Sequence, residues 1–111
     1  MDLFLELQQK LKELDASIKY LRKSGREYAE AEKNYKMTLR TEVLRLKEEG
    51  MAATLINLTI YGVPNVAEAR FKRDICEQVY KANMESINAT KLMIRILSNQ
   101  IAREYGENLS D

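Results

Sequence analysis

Glu27, Glu30 and Glu32 place three carboxylates close together, and Cys76 supplies the chain's single thiol. Neighbouring carboxylates can divide acid and base work, and a thiol becomes a nucleophile when a base activates it. Here Lys33 and Lys36 follow the carboxylates, which makes the group a solvated, charged helix surface. The chain has no histidine, so histidine-dependent base chemistry, Ser and Cys triads and histidine metal sites are excluded. One cysteine builds neither a thiolate metal site nor an internal disulfide, and Cys76 reads as a small, semi-buried hydrophobe in a reducing compartment. There is no glycine-rich phosphate loop. We expect no catalytic residue, no metal ligand, no cofactor and no small-molecule substrate.

The most regular polar feature is cationic. Lys12, Lys19, Arg26, Lys33, Arg40 and Lys47 recur at seven-residue steps, thickened by Arg22 and Lys23. On a helix that line has a spacing of about 10.5 Å, a geometry able to neutralise a nucleic-acid backbone. Glu6, Glu13, Glu27 and Glu48 occupy the next heptad position and edge the line with acid, so we read it as a solvated face. The phosphate-contacting residues, if nucleic acid is bound, are Lys19, Arg22, Lys23 and Arg26, or Arg70, Lys72 and Arg73. The latter three lie on the second helix of a segment with helix-turn-helix character, Glu49 to Arg73. Its second helix opens with Val66, Ala67, Glu68 and Ala69, an acidic, small-residue start poorly suited to phosphates.

These residues are positioned by helices. From Leu7 to Leu46 a heptad register runs through Leu11, Leu14, Ile18, Leu21, Tyr28, Tyr35, Leu39 and Leu46, interrupted by Gly25, Glu32 and Glu42. A narrow apolar seam of this kind needs a partner helix. The pattern predicts one helix over 3–49, a short helix over 52–60 and a second long helix over 66–105. A tail over 106–111 should fray. The register crosses Ser24-Gly25 unchanged, which favours a continuous helix with Gly25 as a gentle kink or a point of close approach. Gly50 suits the left-handed position past a helix end. Residues 54–61 are locally ambiguous: Ile56, Leu58 and Ile60 also alternate as in a strand, but a lone strand has nothing to pair with. Asn65 with Glu68 reads as a capping box, and Gly106 as the second helix's end.

The second helix has two apolar stripes. One passes through Ile75, Val79, Ala82, Ala89, Met93 and Ile96; the other through Tyr80, Met84, Ile87, Ile94, Leu97 and Ile101. A hairpin consumes one stripe, so the other implies self-association, and we assign Ile87, Ile94, Leu97 and Ile101 to it. The expectation is an all-α fold: a long antiparallel helical hairpin with a short connecting helix, one domain over 1–111, packed in an oligomeric bundle.

Lys and Arg number 18 against 17 Asp and Glu, a net charge of +1 that gives no whole-protein pull toward nucleic acid or anionic lipid. The start carries Asp2 and no basic n-region, and no apolar run is long enough to span a bilayer, so we expect a protein without export signal or membrane contact.

The run Arg22-Lys-Ser-Gly-Arg-Glu-Tyr-Ala-Glu-Ala-Glu-Lys-Asn-Tyr-Lys, with Leu-Lys-Glu-Glu-Gly-Met at 46–51 and Arg-Phe-Lys-Arg-Asp at 70–74, resembles short helical proteins of phages and prophages of Gram-positive bacteria. The similarity covers Leu14 to Glu104. The WXG-type hairpins differ: they carry Trp-x-Gly in the bend, where this chain reads Tyr61-Gly62. The phage resemblance implies a bacterial cytoplasm and a non-enzymatic accessory role exercised through self-association and a protein partner. The alternatives it leaves open are a nucleic-acid-binding factor in phage replication or recombination, and an inhibitor of a host enzyme or defence system.

Overall fold

In the computed structural model, the backbone is described for residues 2–110 and the side chains for 2–106. The fold is all-α. Helix α1 spans Leu3–Glu48, helix α2 Ala53–Thr59, and helix α3 Pro64–Ser110, with one 3-10 turn over Ile60–Gly62 between α2 and α3.

Helix α1 is started by Asp2, whose carboxylate accepts the Phe4 amide at 2.9 Å while its carbonyl accepts the Glu6 amide at 3.1 Å. It runs through Gly25 without a break. It ends at Gly50, which has φ +86. The Gly50 amide donates to the Lys47 carbonyl at 3.0 Å and the Met51 amide to the Leu46 carbonyl at 3.1 Å, the paired bonds of a Schellman motif. Its usual apolar contact is present too, because Met51 packs on the cluster that holds Leu46.

The ambiguous stretch is helical. Ile56 and Ile60 are both buried, and Leu58 is left 83 % exposed, as three and four-residue spacing from one face requires. Helix α3 begins earlier than the capping box predicts. Pro64 takes the first helical position, where its missing N–H costs nothing, and the Val63 carbonyl accepts the Ala67 amide at 2.9 Å. Asn65 is therefore inside the helix, with its side chain used elsewhere. Gly106 also lies inside α3; the side chains of the expected frayed tail beyond it fall outside the described residues.

Both long helices pass through two compact units. One joins Met1–Lys23 with Lys81–Asp111, the other is Ser24–Tyr80. In each, α1 and α3 run antiparallel. In the first unit Phe4 stacks edge-on against Tyr105 with ring centroids 5.6 Å apart, and Asn83 reaches the Ser17 carbonyl. In the second unit Tyr28 faces Tyr80 at 5.8 Å, and Asn65 reaches Glu42.

The apolar core sits in the second unit, at the chain reversal. Tyr35, Leu46, Ile56, Ile60, Val66 and Ala69 form one buried cluster, flanked by Leu39, Val43, Met51 and Val63. Each fully buried aliphatic side chain there contributes about 1.5–3 kcal/mol, which is how a helix as short as α2 is held. The first unit is leaner: among the described residues only Asn83, Ile87 and Leu97 are buried in it.

Candidate interaction surface

The sides that α1 and α3 turn toward each other decide which residues remain for anything else. On α1, Leu14, Leu21, Tyr28 and Leu39 are half-buried, and Tyr35 and Leu46 are buried. Leu11 and Ile18 lie instead at the exposed edge. The column that closes the seam beside Leu14 and Tyr28 is Ser17, Ser24 and Ala31, one position earlier than Ile18, Gly25 and Glu32. Small side chains in that column make room for large ones from α3, and Ser24 and Ala31 are buried.

On α3 the two stripes take the reverse of their expected parts. Ile87 and Leu97 are 6 % and 4 % exposed, covered by the chain itself, and Ile94 and Ile101 are half-buried. Ile87 and Leu97 are thus covered by the chain itself, and Ile94 and Ile101 partly so. The residues of the other stripe are exposed in each unit: Ile75 and Val79 in one, and Ala82, Ala89, Met93 and Ile96 in the other. Phe71 and Leu92 stand on its outer edge, both exposed.

The polarity of the inward sides explains the exchange. Burying Asn83 beside Ile87 is tolerated because its side-chain amide donates to the Ser17 carbonyl at 3.1 Å. Asn83 carried a legible signal, an amide at a core heptad position.

The cations are divided between solvent and the fold. Lys12, Arg22, Arg26, Lys33, Arg40, Lys47 and Lys72 are exposed. Lys19 is exposed and paired with Asp15 at 2.9 Å. Arg70 lies over the Tyr61 ring at 5.1 Å. Arg73 is turned inward: its guanidinium stands 4.6 Å from the Tyr35 ring centroid, 2.8 Å from Asp74 and 3.5 Å from Glu32. The Asp74 hydrogen bond holds the Arg73 pKa above its ordinary value.

One carboxylate is also built in. Glu42 is buried; its Oε2 accepts from Arg45 Nε at 2.6 Å and its Oε1 from Asn65 Nδ2 at 3.1 Å. Arg45 in turn reaches Glu49 at 2.8 Å. The Arg45 and Asn65 bonds hold Glu42 below the usual carboxylate range. An acid in the seam is thus satisfied from both helices, a use that neither Glu42 nor Asn65 disclosed by spacing.

No protein-family model, curated protein or solved structure matches the chain.

The groove beside Cys76 is lined by Glu27, Glu30, Ala31, Asn34 and Lys72 and opens broadly to solvent. Among the described residues no group of three or more His, Cys, Asp or Glu could hold a metal ion, and no helix is long and apolar enough to cross a membrane. The feature that stands out is the uncovered apolar stripe of α3.

Proposed function

We propose that the chain is a non-enzymatic accessory protein that acts by presenting helix surfaces to other protein chains. The observation that carries this reading is the exposed apolar side chains of α3 within each unit, Ile75 and Val79 in one and Met93 and Ile96 in the other. Apolar side chains at three and four-residue steps are what a helix lays into a partner's groove or seam. The sequence resemblance to phage and prophage proteins supports a bacterial, cytoplasmic setting for that role. Direct phosphate binding is less favoured, because Arg73 is committed to Tyr35, Asp74 and Glu32, and Lys19 to Asp15.

Affinity capture from a bacterial lysate, with and without nuclease, tests the reading against an Ile96→Lys control. Expected are protein partners that survive nuclease and are lost with Ile96→Lys. Recovery that disappears with nuclease, or that Ile96→Lys leaves unchanged, overturns it.

A further inference from the structure

The unit that joins Met1–Lys23 with Lys81–Asp111 carries a second seam of its own, on the side of α3 away from α1. Glu85, Ala89, Leu92, Ile96, Asn99 and Arg103 follow one another at alternating four- and three-residue steps, the spacing by which one helix packs along another. All six are exposed, while Asn83, Ile87 and Leu97 of the same helix are buried. The two large aliphatic members are the most costly to leave in water: Leu92 is 53 % exposed and Ile96 48 %. The unit's own core does little to offset that, because Asn83, Ile87 and Leu97 are the only buried residues among those described in it.

The order along the seam is complementary to itself when turned end for end. An acid opens it, a base closes it, and Leu92 and Ile96 lie on either side of its midpoint. We infer that a second copy of this chain covers the seam, with the two α3 helices antiparallel about a two-fold axis level with the midpoint between Leu92 and Ile96. Leu92 of each chain then packs on Ile96 of the other, and Ala89 leaves room for Asn99. Glu85 of each chain meets Arg103 of the other, which closes both ends of the seam with an ion pair. A parallel pairing in register would set Glu85 against Glu85 and Arg103 against Arg103, so charge selects the antiparallel arrangement. This rests on the reading of the chain as a helix-presenting protein and names one partner.

One cation reports the direction independently. Arg95 is exposed and stands on the flank of the seam, beside the midpoint. In the antiparallel pair it lies next to Arg95 of the other chain, a like-charge contact that weakens the dimer. In a parallel pair it would lie next to Gln100.

The test is a set of charge changes on the full chain, read by light scattering across a concentration series. Wild type should give twice the mass of one 12.9 kDa chain at the top of the series. Arg103→Glu should raise the dimer dissociation constant about tenfold, and adding Glu85→Arg should restore it. Arg95→Gln should lower the constant. All three residues are exposed, so these changes leave the fold in place. A monomer at every concentration overturns the inference while leaving the proposed function intact if lysate capture still yields protein partners. A dimer that Arg103→Glu leaves unchanged, that the double exchange does not restore, or that Arg95→Gln does not tighten overturns it as well.

Discussion

The side-chain amide of Asn83 donates across the hairpin to the main-chain carbonyl of Ser17 at 3.1 Å. Sliding α3 along α1 by a residue or two moves the buried amide off that carbonyl. A single polar residue at a core heptad position fixes alignment at a cost in stability. Asn83→Leu should therefore raise the urea midpoint, by about 1 kcal/mol in stability, while broadening the transition and multiplying the amide signals of neighbouring residues. A clear loss of stability with one set of sharp signals would contradict this role.

Gly25 of α1 faces the Tyr80 ring of α3. A β-carbon there would stand 3.3 Å from Cε2 of Tyr80, a ring already stacked on Tyr28. Alanine gains about 1 kcal/mol over glycine inside a helix, but here it presses on that ring. Gly25→Ala should be nearly neutral alone and stabilising by about 1 kcal/mol in a Tyr80→Ala background. Equal effects in both backgrounds would show that the ring does not matter.

Gly50 presents the opposite case. Nothing lies within 4 Å of a β-carbon at that position, but its φ is +86. The whole penalty of Gly50→Ala is then backbone strain, about 1 kcal/mol, measurable as a lower thermal midpoint with unchanged helix content. Gly50→Asn should lose less, because asparagine tolerates the left-handed region.

Glu42 gives the fold an acid-sensitive component. Its pKa is depressed in the folded chain, first by Arg45 and then by Asn65. The sign follows from linkage: the contribution is present above the ordinary carboxylate value and is lost as pH falls through the lower, folded one. Stability measured by urea unfolding should drop through that acid window, and Glu42→Gln should flatten this part of the profile. An unchanged slope in the variant would move the effect to other carboxylates. Asn65→Ala should retain the slope in part, since Arg45 remains.

The helices were legible because their signals are local. Apolar spacing and Gly50 past the end of α1 each act within a turn, and the structure has them where the sequence implies. What the sequence left undetermined is which of two stripes on α3 faces α1. Ile94 and Ile96 differ little in hydrophobicity. The choice turns on Asn83 finding Ser17 and on Ser24 and Ala31 making holes, contacts between residues far apart in sequence. The capping box failed for a related reason: Pro64 suits the first helical position better than Asn65 suits the cap, and Glu42 was waiting for the freed amide.

The core's location at the chain reversal sets an order of events. Its members run from Tyr35 to Ala69, whereas Ser17 and Asn83 are separated by 66 positions. Closing a long loop costs more entropy than closing a short one, so contacts near the reversal form early and those toward the termini late. Substitutions at Ile56 should slow folding, while those at Ile87 should mainly speed unfolding. The molecule fastens like a zip whose slider starts at Gly50, and its two ends are the last to gain structure and the first to lose it.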